Sequence, residues 1–232
     1  MAFIPFSIAL WVNPVASGVR NDMVAPTSAG GVGFHINTSN KLLFSREGVS
    51  DFGTSTASIS NSAWTHAGLT WDGSNFQFFV NGAFDSTAAS GSSVTTGQGP
   101  YLLGRSIADA KVFNGSLADV MYYQGVMSRP QFLALGTGVL RPHQLGLGRA
   151  LKFFTPLDSY DAVVRDLSAL QNTGKVVGTS TALVTGPKFL SPLKIVPPQN
   201  VRVTPIPPVV SAVFRRTRSE LGTRVGSRQM AG

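Results

Sequence analysis

Residues 64–86 constrain this chain more than any other stretch. The text WTHAGLTWDGSNFQFFVNGAFDS reads as two strands and the start of a third, joined by the turns Asp72-Gly73-Ser74 and Asn81-Gly82. Asn-Gly between apolar runs is a strong hairpin signal, because a type I′ turn needs positive φ at both central residues. Within Phe76–Val80 the apolar residues do not simply alternate, so this strand is expected to be covered on both faces. A second sheet supplies such a cover, and that makes a sandwich.

The remaining composition agrees. With 25 Gly, 14 Pro, 43% hydrophobic and only 13% charged residues, the chain favours many strands and turns over a helical bundle. Its 232 residues leave room for one large β-domain, or a domain with an appendage. There is no cysteine, which excludes thiol catalysis and Cys-based zinc sites. No apolar run approaches the roughly 18 residues of a membrane span. The opening MAFIPFSIALWVNP has no leading Lys or Arg, so Phe6–Val12 is read as a first strand and not as a secretion signal.

Strands are expected near 6–12, 22–26, 32–37, 41–46, 55–60, 64–71, 75–80, 83–88, 101–104, 117–123, 151–156 and 175–178, with an exposed loop over 88–99. One short helix is expected at Arg129–Leu135. Ser128 caps it, Gln131 completes a capping box and Gly136 supplies a left-handed stop.

Positive charge is concentrated at one end. From Gly186 to Gly232 there are eight basic residues and one acid, Glu220, so this tail holds +7 of the total +8. It also holds seven of the 14 prolines. The domain reading is therefore a nearly neutral β-body over 1–185 and an extended, Pro-rich basic arm over 186–232. Three uses of the arm compete. A nucleic-acid arm lacks interleaved aromatics, since Phe214 alone offers stacking. A membrane-surface arm lacks an amphipathic helical face. A docking arm that lies on neighbouring protein subunits fits best, carried by Arg202, Phe214, Arg215, Arg216, Arg218, Arg224 and Arg228.

Several segments together resemble a known family. Ser7-Ile-Ala-Leu-Trp-Val12, Trp64-Thr-His-Ala-Gly-Leu-Thr-Trp-Asp-Gly73 with Phe79-Val-Asn-Gly82, Leu102-Leu-Gly-Arg105 and Phe113-Asn-Gly-Ser-Leu-Ala-Asp-Val120 resemble the strands of concanavalin-A-like, laminin-G-like jelly rolls. The resemblance covers roughly residues 6–180 and implies an all-β, two-sheet antiparallel sandwich. The text Phe153–Asp158 and Asp166–Gly174 resembles a strand that opens the family order, yet here it follows the helix. The domain thus looks circularly permuted, its closing strand completing the sheet that Phe6–Val12 opens. That order is similar to laminin-G-like domains of tailed-phage virion proteins.

The chemistry-bearing residues are few. Glycosidases on this fold need two carboxylates about 5–10 Å apart across a cleft. No E-x-D-x-x-E occurs, and the only glutamates are Glu47 and Glu220. The histidines His35, His66 and His143 show no metal-like spacing, and His66 is read as structural. There is no G-x-S-x-G elbow, although counting alone leaves a Ser–His–Asp triad open. The resemblance implies calcium at a sandwich rim, where Asp158, Asp161 and Asp166 are available; a turn-forming role is favoured and no cofactor is assigned. Trp11, Trp64 and Trp71 sit where core residues belong, so sugar contacts are sought in the loops 45–52 and 88–101.

These readings converge on a non-enzymatic structural protein of a tailed-phage virion, first of all a capsid decoration protein docked through its arm. Its expected partners are the major capsid protein or further copies of itself, in a homo-oligomer such as a trimer. The alternative is a carbohydrate-binding, lectin-like tail component with a glycan partner. Nucleic acid and membrane are not expected partners.

Overall fold

The computed structural model describes residues 4–27, 30–89, 101–105, 112–157, 163–172, 174–175 and 186–187. Its strands are β1 (Phe6–Pro14), β2 (Asn21–Pro26), β3 (Val32–Ile36), β4 (Lys41–Arg46), β5 (Ser50–Ser58), β6 (Thr65–Trp71), β7 (Asn75–Val80), β8 (Ala83–Ala89), β9 (Tyr101–Leu103), β10 (Gly115–Tyr123), β11 (Leu151–Thr155), β12 (Val163–Val164) and β13 (Gly174–Lys175). One helix, α1 (Arg129–Gly136), stands between β10 and β11. Among the described residues, no helix is long and apolar enough to cross a membrane.

The strands form two antiparallel sheets and a small ribbon. The larger sheet runs β11-β10-β1-β6-β7-β8, the smaller β5-β4-β3-β2-β9, and β12 pairs only with β13. Strand alternation sends every second side chain to the space between the sheets. From the larger sheet Phe6, Ile8, Leu10, Trp71, Phe76 and Phe78 point inward, and Val32, Phe34, Ile36, Leu42 and Phe44 meet them. Phe44 lies 4.7 Å from Phe76 and 5.8 Å from Phe6, ring centre to ring centre. Each such fully buried side chain contributes about 1.5–3 kcal/mol over its exposed state.

The expectation that β7 is covered on both faces holds, but two different elements supply the cover. Phe76 and Phe78 face the smaller sheet, whereas Phe79 turns outward beneath α1 and stacks on Phe132, centroids 3.9 Å apart. Asn81 and Gly82 both take positive φ, 51° and 77°, as a type I′ turn requires. At the preceding turn the Asp72 carboxylate accepts the N–H groups of Ser74 and Asn75, at 2.8 and 2.7 Å.

Three local expectations are corrected. The fifth strand spans Ser50–Ser58 and not 55–60, because it follows β4 directly through a tight turn at Glu47–Val49. Gln131 does accept the Ser128 N–H at 2.8 Å, but the left-handed stop is Gly138, φ 71°, not Gly136. Gly136 is small for another reason: a Cβ there would stand 2.2 Å from the Gly82 nitrogen. The pair Val163–Val164 was not anticipated as a strand; it has no long apolar run to announce it. Most of the 88–99 loop lies outside the described residues, as do residues 176–178 of the strand expected at 175–178.

β11 joins the sheet that β1 opens, at its edge, with β10 between them. This is the closure the late-arriving segment was expected to provide.

Candidate functional site

On β3, Val32, Phe34 and Ile36 face the core, so Gly33 and His35 face away from it. In register, Asp22 of β2 lies opposite His35, and Ser45 of β4 lies opposite Gly33. Arg20 and Glu47, just outside β2 and β4, reach over the same face. The result is a five-residue polar array on the outer side of the smaller sheet. His35 Nδ1 is 2.8 Å from Asp22 Oδ1, off the ideal N–H line, and Nε2 is 2.9 Å from Ser45 Oγ. Arg20 donates through Nε to Asp22 Oδ1 at 2.7 Å and through Nη2 to both Asp22 and Glu47.

Asp22 and His35 are wholly buried and Ser45 is 1% exposed. Burial holds the His35 pKa below its usual value, so the ring is neutral at neutral pH. Burial pushes Asp22 the other way, but contacts from His35 and Arg20 outweigh it and keep the carboxyl ionised. The Ser–His–Asp distances match those of a hydrolytic triad. The surroundings do not: Ser45 is shut from solvent and lies between paired neighbours on both sides, Gly33 and Asp51. Oxyanion stabilisation needs free amides aimed at the reacting oxygen. The array acts as an internal lock across β2, β3 and β4.

Three further described carboxylates, Asp119, Asp166 and Asp85, are also committed. Asp119, at φ 48°, receives the Arg141 guanidinium, with Nε 3.0 Å from Oδ2. Asp166 accepts N–H groups from Phe154, Ser168 and Asn172 and the Ser168 hydroxyl, all within 2.9 Å. A carboxylate met by so many donors offers little to a hard cation. This is the turn-forming role favoured for Asp166; Asp158 and Asp161 lie outside the described residues. Asp85 of β8 crosses to the other sheet and accepts the N–H groups of Thr56 and Ala57, at 2.6 and 2.8 Å. Among the described residues, no three His, Asp or Glu side chains gather as metal ligands would.

His66 is structural in position: it is buried beside Trp11, ring centres 5.3 Å apart, on the outward side of the larger sheet. Trp71 is core, Trp11 is nearly so, and Trp64 is half-buried. Of the loop 45–52, Ser45 and Glu47 belong to the lock, and only Gly48–Asp51 is open to solvent. The arm residues Arg202, Phe214, Arg215, Arg216, Arg218, Arg224 and Arg228 lie outside the described residues. The lock itself was missed in the sequence. A lone His between Phe34 and Ile36 signals an outward position, but nothing local names Asp22 and Ser45 as its neighbours.

Residues 3–131 match a family model described as the Concanavalin A-like lectin/glucanases superfamily. No curated protein sequence matches the chain. Among solved structures, a proposed carbohydrate-binding protein from Bacteroides ovatus ATCC 8483 superposes with TM-score 0.57 at 17% identity, over 75% of this chain and 52% of its own. The CBM40 module of a Ruminococcus gnavus sialidase, bound to α2,3-sialyllactose, gives TM-score 0.49 at 16% identity, over 58% of this chain and 84% of its own. Domain 4 of an extracellular arabinanase from Geobacillus stearothermophilus, in complex with arabinotriose, gives 0.47 at 17% identity, over 59% and 68%. At these identities the likeness is one of fold, and the chain spans about half the length of the Bacteroides protein.

Proposed function

We propose that this chain, which belongs to the Concanavalin A-like lectin/glucanases superfamily, stands on the lectin side of it, as a non-enzymatic carbohydrate-binding module. The commitment of six of the seven described carboxylates carries this reading. A glucanase needs one carboxyl held protonated as general acid and a second one free beside it. Asp22, Asp72 and Asp85 are all shifted the opposite way, below the usual carboxylate range, by the hydrogen bonds and charges around them. Asp119 and Asp166 are spent on Arg141 and on backbone amides. A glycan array probed with the full chain tests the proposal. Saturable retention of at least one glycan, with no shortened product released, is expected. Failure to retain any glycan, or release of hydrolysis products, rejects it.

A second reading concerns where such a module works, and the charge segregation of the sequence favours it. An arm holding +7 of the +8 net charge suits docking on an acidic protein surface. In this reading the domain is a permuted jelly roll displayed on a tailed-phage virion, as a capsid decoration protein or a receptor-binding tail component. Its arm bridges capsid subunits or neighbouring copies, for instance in a trimer. Removing residues 188–232 and measuring occupancy on particles tests it. Undiminished occupancy by the truncated protein rejects the docking arm.

A further inference from the structure

The sequence holds two Asn-Gly pairs, Asn81-Gly82 and Asn114-Gly115. Such a pair can react on itself, because glycine has no side chain to shield its own amide nitrogen. That nitrogen gives its proton to solvent and attacks Cγ of the preceding asparagine. An N–Cγ bond forms, the Cγ–Nδ2 bond breaks, and ammonia leaves behind a succinimide ring. Water then opens the ring at either carbonyl, to aspartate or to isoaspartate. By sequence the two pairs stand equal; in the fold they do not.

At Asn81 both reacting atoms are held. Its Oδ1 accepts the His66 N–H at 3.0 Å, and its own N–H donates to the His66 carbonyl at 2.7 Å. Gly82 is buried, and a Cβ on Gly136 of α1 would stand 2.2 Å from its nitrogen. The attacking amide is therefore packed against the helix.

Asn114 differs at both atoms. Its side chain is exposed and makes no hydrogen bond among the described residues. Only its main chain is engaged: the N–H donates to Asn21 Oδ1 at 3.2 Å, and the carbonyl accepts the Val15 N–H at 2.8 Å. Pro14 lies opposite Gly115 in the β1–β10 ladder, and its carbonyl turns the other way, to the Ser62 N–H. Bonded and non-bonded pairs alternate along antiparallel strands, so the Gly115 N–H also points away from β1. On that side β11 pairs with β10 only from Val120 onward.

We propose that Asn114-Gly115 is a spontaneous modification site, where the folded protein deamidates through the succinimide while Asn81-Gly82 is spared. The product alters one end of the sandwich. Each event replaces a neutral amide by a carboxylate. Isoaspartate also adds one carbon to the main chain, at a point without slack: even a Cβ on Gly115 would stand 2.3 Å from the Asn13 carbonyl oxygen. The Val15 bond to Asn114 is then lost. With it goes the tie between β10 and the β1–β2 loop, which Asn21 continues to Ser17 at 2.9 Å.

The test incubates the full chain in mildly alkaline buffer, folded and in urea, and follows both pairs by peptide mass spectrometry. In urea they are expected to react alike. In the folded protein residue 114 is expected to deamidate about tenfold faster than residue 81, the factor that one held hydrogen bond accounts for. Asn114→Gln, whose longer side chain closes a larger and slower-forming ring, is expected to abolish the accumulating acidic species. Equal rates in the folded protein, a faster Asn81, or an acidic species that persists in the Gln variant overturns the assignment. Hydrogen exchange tests the consequence. Asn114→Asp carries the charge alone and should keep the Val15 amide protected, whereas the isoaspartate form, separated by ion exchange, should lose that protection. Equal protection in the two overturns the loosening.

Discussion

Gly33 and His35 share one face of β3, and the imidazole occupies the space where a side chain at residue 33 would begin. A Cβ there would stand 2.4 Å from His35 Cε1 and 2.5 Å from Nε2. The missing side chain is what lets the ring lean over residue 33 to Ser45, which lies opposite it on β4. Gly33→Ala is therefore expected to push the ring off Ser45 and to cost about 1–3 kcal/mol, as overpacking of a closed site does. Urea denaturation measures the cost. A variant as stable as the parent, with the His35 ring resonances unmoved, contradicts this account of the lock.

The two buried histidines set the response to acid. His66 has its pKa lowered by burial from the usual 6.5 to about 3, and His35 is shifted in the same direction, first by burial. The unfolded chain takes up these protons near pH 6.5, whereas the folded chain takes up the His66 proton only near pH 3 and the His35 proton below its usual value. The His66 contribution is thus flat above about pH 6.5 and falls as pH drops from there toward 3, by up to about 1.4 kcal/mol per unit, and His35 adds a loss of the same sign. Asp22 adds a loss of the same sign at lower pH, since its folded value lies below its usual one. His66→Leu is expected to flatten the limb between pH 6.5 and 4 and to leave stability at pH 8 within about 1 kcal/mol. An unchanged slope in a pH series of denaturation curves counts against it.

Asp85 closes one side of the sandwich. β5 and β8 are the outer strands of their sheets, and the Asp85 carboxylate satisfies two edge amides of β5 that no strand pairs. Asp85→Ala is expected to cost about 1 kcal/mol, the lower end for such bonds because the site is half-exposed. Hydrogen exchange at Thr56 and Ala57 should accelerate before that of β1 or β6. Equal protection in parent and variant argues that the seam holds without the carboxylate.

Gly136→Ala tests how α1 is seated. The added methyl would meet Gly82 N at 2.2 Å and Asn81 C at 2.5 Å, backbone atoms that cannot rotate away. The helix must lift and the Phe79–Phe132 stack must loosen, at about 3 kcal/mol. Near-UV circular dichroism reports the aromatic pair directly. A full aromatic signal with unaltered stability overturns the close approach.

Much of the fold could be read along the chain. Asn81-Gly82 places a hairpin because its backbone preference is intrinsic to those two residues. The helix start is equally local, with Ser128 and Gln131 three residues apart. β5 was misplaced because its residues alternate weakly and are mostly exposed, so little apolar period marks them. The stop at Gly136 was misassigned because its smallness answers to Gly82, distant in sequence and adjacent in space.

What the chain determined alone is the part governed by neighbours in sequence: alternating apolar strands, turn chemistry, the absence of thiol chemistry, and a cationic, proline-rich end. What only the tertiary structure decided is the pairing of groups across strands. Asp22, His35 and Ser45 meet because the β2–β3 and β3–β4 registers put them side by side, and a shift of one residue would send them to opposite faces. The same long-range packing buried four of the seven described acids, Asp22, Glu47, Asp119 and Asp166, which no local pattern in the sequence marks.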